Sequence, residues 1–458
     1  MHFGQGVFKV SVPCLQTFET ARKFPTQVDV AIIGGGIAGI TAALYLAEAG
    51  VKVAVLEKGK VAAEQSSRNW GWTRQMGRDP VELPLTIESL KLWREMDQRF
   101  GIDTGYRETG ITYLCRTRKE IAEFTKWFEY ACDAKMPSRV LRGAELQKLL
   151  PGISSKFEMA LHTANDGRAE PGQAVPEMAR AADRLGVIIV QNCAVRGIET
   201  TAGHVSAVVT EKGTIKASSV VVAGGVWSRL FLGNLGINLP QLKILGTASR
   251  IEGVSDVSEM PVGGGDFAFR KRLDGGYTVA ERSANVAQIT PDSFRLFWDF
   301  LPNLKTSWHE LKLRIGKSFV EEWHVPRSWS MEDVTPFERV RILDPEPYQP
   351  FVRNALKNLT HAHEAFAHAK LTHTWAGLID VTPDAIPVIS SIDRIPGLFV
   401  STGFSGHGFG SGPGAGRLMS ELVRGEKTCV DPAPFRLSRF QKTNAENRNV
   451  RDAMSTVT

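Results

Sequence analysis

Cysteine is scarce in this sequence, and no two cysteines stand as Cys-x-x-Cys. The five present, Cys14, Cys115, Cys132, Cys193 and Cys429, are odd in number and lack metal-ligand spacing. That argues against a zinc site or a disulfide framework and for a reducing compartment. Long apolar runs are missing too: no stretch reaches the roughly 18 residues that a spanning helix needs. The N-terminus carries no basic segment followed by an apolar one, so no secretory leader is expected and the expected location is cytoplasmic. Lys and Arg exceed Asp and Glu, 55 against 49. No block of roughly five or six like charges occurs, which speaks against nucleic acid as a partner. The mild excess leaves attraction of an anionic substrate, or peripheral contact with an acidic membrane surface, open.

What remains is an ordinary globular composition, 43% hydrophobic and 23% charged over 458 residues. That length suits two interleaved domains. A first stretch, 1–27, reads as a surface extension. The buried-strand run 28–33 is followed by Gly34-Gly35-Gly36-Ile37-Ala38-Gly39, a helical segment 37–49, and a second strand 51–57 ending at Glu57. This is a strand–helix–strand unit with a G-x-G-x-x-G turn. Gly34 permits the tight turn, Gly36 lets a pyrophosphate approach the backbone, and Gly39 lets helix and strand pack closely. The helix opening at Ile37 and Ala38 offers unpaired N–H groups to phosphate. Glu57 stands where an acid accepts hydrogen bonds from a ribose diol. The following Lys58 is counted with it.

Further helices are expected over 82–100, 118–135 and 173–185, and strands over 106–115, 156–164, 187–190, 205–209 and 220–223. Alternation within 242–282 predicts an antiparallel sheet, 290–322 a helical lid, and 398–402 a late strand leading into a glycine-rich turn and helix. The tail beyond about residue 425 is polar and expected to be loosely held. Nucleotide-binding signals at both ends predict an α/β fold: a discontinuous Rossmann-like cofactor domain (28–105, 165–240 and 372–425) with an inserted α+β substrate domain (106–164 and 241–371), then a tail over 426–458.

The segment Ser66-Ser67-Arg68-Asn69-Trp70-Gly71 resembles the Ser-x-Arg-Asn-x-Gly turn of the D-amino-acid oxidase (DAO) superfamily of FAD-dependent oxidoreductases. Ala223-Gly224-Gly225-Val226-Trp227 looks like that family's second glycine turn, and Gly403 to Gly416 like its C-terminal flavin loop. Trp375-Ala376-Gly377-Leu378, with Thr382-Pro383-Asp384 after it, precedes that loop as in the family. The resemblance runs from about Asp29 to Arg424. It implies FAD held by these turns, with Val195, Ala223, Gly224, Trp227, Gly377, Gly406, His407, Gly408, Phe409, Gly410 and Ser411 among the contacts. It also implies oxidation of a small amine or amino acid by hydride transfer to flavin N5, with oxygen or a quinone as acceptor. Reduced flavin carries negative charge that N–H groups of a helix opening would stabilise.

Two departures matter. Amino-acid-specific members often carry Arg in Gly-Leu-Arg-Pro, whereas this chain reads Gly377-Leu378-Ile379-Asp380. Substitute carboxylate clamps are Arg74, Arg78, Arg270, Lys271 and Arg272. Asp380 is instead placed to attract a distal ammonium. The cysteine that attaches flavin in some members corresponds to Gly377, so FAD is expected to be non-covalent. His407, flanked by glycines, reads as a cofactor-side or packing residue ahead of a base. Trp70, Trp72, Phe267, Phe269 and Trp375 are candidates for an aromatic substrate wall. A flavin-binding subunit of a multi-chain amine dehydrogenase is the alternative. An NADPH-dependent hydroxylase is disfavoured, because Gly406-His407-Gly408-Phe409 stands where its Gly-Asp motif would be.

Overall fold

The structure is a computed structural model that describes residues 15–19, 22–283, 285–307 and 311–440. Cys14, most of the N-terminal extension and the end of the tail lie outside the described residues. The fold is mixed α/β. A six-stranded sheet has the order Val388–Ser391, Leu398–Thr402, Ser219–Val222, Val30–Ile33, Val53–Leu56 and Ile188–Val190. The strands are parallel except for the antiparallel edge strand Val388–Ser391. Val30–Ile33 and Val53–Leu56, in the sheet's interior, are wholly apolar because both faces are covered. Val30 and Ile32 pack on the helices Ile37–Glu48, Leu83–Phe100, Pro171–Arg184 and Gly408–Arg424. Ala31, Ala54 and Leu56 point the other way, toward the three-stranded sheet Val195–Thr201, His204–Thr210 and Gly213–Lys216. Successive side chains of a strand face opposite sides, so one short run serves two cores.

The second large sheet has ten strands. Its spine is the pair Leu242–Glu252 and Lys370–Val381, antiparallel along nearly their whole length. Beside it lie Tyr277–Ala280, Ala268–Lys271 and Val262–Gly263, then Ile111–Cys115, Met159–Thr163 and Ser138–Leu141. Lys370–Val381 leads out of this sheet toward the edge strand of the parallel one, so the two sheets meet near its end.

Several expectations change. The large sheet is not purely antiparallel: Val262–Gly263 runs parallel to Ile111–Cys115, and Asn285–Gln288 parallel to Leu311–Arg314. The last of these falls inside the expected helical lid, which is three helices (Pro291–Arg295, Phe297–Ser307 and Lys317–Trp323) interrupted by that strand. The strand over 106–115 splits into Arg107–Glu108 and Ile111–Cys115, with Gly110 at φ +74 between them. The tail is anchored as far as it is described: Phe435, Leu437 and Phe440 are buried against the two faces of the parallel sheet. No helix among the described residues is long and apolar enough to cross a membrane.

Candidate active site

One cavity of about 580 Å3 joins the early glycine turn to the late one and is lined from both large sheets. At its nucleotide end Gly34 has φ +115, and a Cβ there would collide with the Ala223 carbonyl. A Cβ at Gly39 would collide with the Gly34 carbonyl. The turn and the close helix packing therefore demand glycine at both positions. The Ile37 N–H donates to Ser66 Oγ at 2.9 Å, which brings the Ser66–Gly71 turn onto the helix opening. Glu57 accepts the N–H groups of Gly35 and Gly59, each at 2.7 Å. Burial nonetheless pushes its carboxyl pKa up. Lys58 Nζ bonds Glu64 at 2.8 Å and lies 4.5 Å from the Trp227 ring centroid.

At the other end, Leu398–Thr402 runs into a turn with left-handed backbone at Gly403, Ser405 and Gly406, φ +73, +50 and +83. The helix Gly408–Arg424 follows, and its first-turn N–H groups have no acceptor within the helix. They place a positive dipole end at the cavity wall. The helix can sit there because a Cβ at Gly416 would collide with Thr41, and because Thr41 Oγ donates to the Gly412 carbonyl at 3.0 Å.

Beyond this turn the wall becomes strongly cationic. Arg74, Arg78 and Arg282 all line the cavity around Tyr113. The Arg282 guanidinium lies 4.1 Å and that of Arg74 5.4 Å from the Tyr113 ring centroid. Arg78 is 4% exposed, and its Nε and Nη1 have no protein partner among the described residues. Burial, with Arg74 nearby, lowers its pKa to about 9. Tyr113 reports the same field: burial alone would raise its pKa, yet Arg74, Arg282 and Arg78 bring it below the ordinary value. Arg282 Nη1 donates to the Gly264 carbonyl at 2.8 Å and Arg74 Nη1 to that of Met76, so the buried donors left free among the three are those of Arg78. Clustered guanidiniums of this kind can pair with a carboxylate. Beside them His407 Nδ1 stands 3.4 Å from Glu82 Oε2, and Glu82 is 1% exposed. Burial, reinforced by Arg78 and opposed by Glu82, lowers the His407 pKa to about 4.

The structure brings most of the residues expected to hold a cofactor to this one cavity. Gly34, Gly36, Ile37, Ala38, Glu57 and Lys58 line its early end. Ser66, Arg68, Asn69 and Trp70, with Val195, Ala223, Gly224 and Trp227, line the middle. Gly377, Gly406, His407, Gly408, Phe409 and Gly410 line the late end. Gly39, Ser67, Gly71 and Ser411 lie behind the wall: Gly71 fits against Ala169 and Arg270, and Ser411 Oγ donates to the His407 carbonyl at 3.0 Å. Arg68 reaches the Ala376 carbonyl at 2.8 Å and Asp344 at 2.6 Å, with Nη2 left unpartnered among the described residues.

Five expected catalytic or clamp roles are corrected. Arg270 is 1% exposed and locked to Glu170, so it holds no substrate. Lys271 pairs with Asp256 at 2.9 Å and Arg272 with Asp274 at 3.0 Å. Trp375 is buried outside the cavity lining, its indole donating to the Arg68 carbonyl at 2.9 Å. Asp380 touches the cavity, but its carboxylate is bonded to the backbone of the late turn and is not presented to an ammonium. Phe267 and Phe269 are core aromatics stacked on each other, while Trp70 and Trp72 do wall the cavity. Arg282 and Tyr113 were not singled out by sequence. The only available signal for Arg282 was its place just after the alternating run 276–280.

The wall composition fits FAD: a glycine turn, a helix opening and Glu57 at one end, a second helix opening behind a tight turn at the other, and length between them. The profile of the family described as "DAO: FAD dependent oxidoreductase" matches residues 29–422. The chain is 34% identical to the L-amino acid deaminase from Proteus myxofaciens solved in complex with anthranilate. The TM-score is 0.89, over 94% of this chain and 97% of that one. It is 24% identical to sarcosine oxidase subunit beta of Arthrobacter sp over 90% of this chain and 91% of that protein. It is also 24% identical to glycine oxidase of Geobacillus kaustophilus, over 90% and 97% of the two chains. The chain belongs to the DAO family of FAD-dependent oxidoreductases, enzymes acting on amino acids or amines.

Proposed function

We propose that the protein oxidatively deaminates an α-amino acid, of the L series, whose carboxylate is held by Arg282, Arg78 and Arg74. The observation that carries this reading is the cluster of three guanidiniums around Tyr113 at the flavin-loop end of the cavity. It supplies the cation that the Gly377-Leu378-Ile379-Asp380 segment lacks. The likeness to an L-amino acid deaminase supports both substrate class and hand, and that protein's bound anthranilate is itself an amino-carboxylate.

Bound FAD supplies the two-electron acceptor. The arginines fix the carboxylate and so aim the α-carbon hydrogen. The substrate amine must be neutral when that hydrogen leaves as hydride. A cationic wall favours loss of the ammonium proton. His407, held neutral by burial, adds no positive charge of its own there. The imine product is hydrolysed by water to an oxo acid and ammonia. Trp70 and Trp72, with ring centroids 5.6 Å apart, narrow the space around the side chain.

In this reading the cofactor part comprises 28–105, 165–240 and 372–425, and 106–164 with 241–371 supplies the substrate wall. FAD is non-covalent. Cys193, the one cysteine of the cavity lining, belongs to the nucleotide-end cluster with Val195 and Phe231. Anaerobic bleaching of the yellow protein tests the reading. An L-amino acid should bleach it, while its D-isomer and its decarboxylated amine should not. Equal bleaching by the amine would overturn the carboxylate clamp.

A further inference from the structure

Asp380 lies near the end of the strand Lys370–Val381 and is 2% exposed. Its Oδ2 accepts the Gly403 N–H at 2.7 Å, the Gln241 amide at 3.1 Å and the Thr402 hydroxyl at 3.1 Å. Its main-chain carbonyl accepts the Ser405 N–H at 2.9 Å. The Gln241 amide also reaches the Gly225 carbonyl at 3.2 Å, and the Thr402 hydroxyl reaches it at 3.1 Å. One residue thus ties together two left-handed turns of the cavity wall, at Gly225 (φ +54) and at Gly403–Gly406.

No Lys, Arg or His pairs with this carboxylate among the described residues; burial pushes its pKa up, against the Gly403 N–H and Thr402 hydroxyl, whose hydrogen bonds favour the ionised form. A buried carboxylate without a counter-cation is a costly way to hold a turn. An asparagine could accept the Gly403 N–H without that cost.

We propose that Asp380 is a positioning residue for the flavin: it fixes the 403–406 turn and, as a buried anion behind it, holds the flavin potential low. The sign follows from electrostatics, because a fixed negative charge disfavours the addition of electrons nearby, and does so strongly where water is excluded. The inference rests on FAD binding and not on the identity of the substrate.

The test is a redox titration of the purified holoenzyme by dye equilibration, with FAD affinity read from flavin fluorescence. Flavin on the wild-type protein checks the cofactor; only the variants check Asp380. Asp380→Asn should keep FAD within about threefold, because one neutral acceptor replaces a charged one, and its midpoint potential should become more positive. Asp380→Ala should weaken FAD roughly ten- to hundredfold, because the buried Gly403 N–H loses its charged acceptor. Thr402→Val removes the hydroxyl's contacts with Asp380 and Gly225 and leaves the charge, so it should loosen FAD without moving the potential. It stands in should Asp380→Ala not fold. An unchanged potential in Asp380→Asn, or an equal shift in Thr402→Val, overturns the proposal.

Discussion

Arg270 and Glu170 face each other in a buried, forked ion pair, Nη1 to Oε1 at 2.6 Å and Nη2 to Oε2 at 3.2 Å. Arg270 Nε donates to the Trp70 carbonyl at 2.6 Å, and Glu170 Oε1 also accepts the Leu273 N–H at 3.0 Å. The pair therefore pins the turn that carries Trp70 to the large sheet. It braces the cavity wall from behind.

Breaking that pair from one side should destabilise the fold. Arg270→Met or Glu170→Gln is expected to cost about 3–5 kcal/mol, because one buried charge loses its partner. Chemical denaturation measures it. Burial pushes the Glu170 pKa up, but the charge and hydrogen bonds of Arg270 outweigh it and leave the pKa below the ordinary value. A depressed folded-state pKa gives stabilisation that is complete above the unfolded value, about 4.3. It is lost as pH falls through the lower folded value. Glu170→Gln should show a smaller acid-side loss than wild type, the remainder coming from other carboxylates held below their ordinary range, such as Asp292.

Removing the clamp should act on substrate binding. Arg282→Ala is expected to lower kcat/KM for an amino acid roughly ten- to hundredfold, mainly through KM, as for loss of a charged hydrogen bond of about 1.5–3 kcal/mol. Arg282→Lys should recover part of it, since an ammonium lacks the planar fork. Steady-state kinetics with a good amino-acid substrate decides the point. A purely kcat effect would place Arg282 elsewhere in the cycle.

His407 should not titrate where histidines usually do. With its pKa near 4, the imidazole is neutral through the physiological range. His407→Asn should leave the pH–rate profile without a lost inflection between about pH 6 and pH 8, the range where an unperturbed histidine would appear. A limb that vanishes in the variant would assign the proton to His407 after all.

Denaturation should release the flavin. Acid-precipitated protein is expected to be colourless, with FAD in the supernatant. A yellow pellet would demand a covalent bond, and His407 would be the first position to examine, because it stands at the flavin-loop end of the cavity.

The cofactor half could be read from sequence because its glycines fall in short patterned runs, even where the neighbour that demands them is distant, as Ala223 is for Gly34 and Thr41 for Gly416. Gly39 is demanded by Gly34 five residues earlier, and the glycine run from 403 to 416 carries its own pattern. The substrate end could not be read in the same way. Tyr113 and Arg282 meet only because Val262–Gly263 runs parallel to Ile111–Cys115, a register between strands far apart in the chain. Arg270 resembled a clamp for the complementary reason. An arginine at the start of the basic run 270–272 gives no sign of a glutamate waiting 100 positions earlier. The strand Leu311–Arg314 was missed because its alternation is short and lies between helical segments.

Val30–Ile33 and Leu398–Thr402 flank Ser219–Val222 within one sheet. A ribosome emitting about 5–20 residues per second needs tens of seconds to pass from the first of these to the last. Throughout that interval the helix Ile37–Glu48 lacks the helix Gly408–Arg424 that covers it, and its apolar side is open to any chaperone at the tunnel exit. Cofactor loading is thus expected to follow completion of the polypeptide, and truncation short of the helix Gly408–Arg424 should leave an insoluble, flavin-free product.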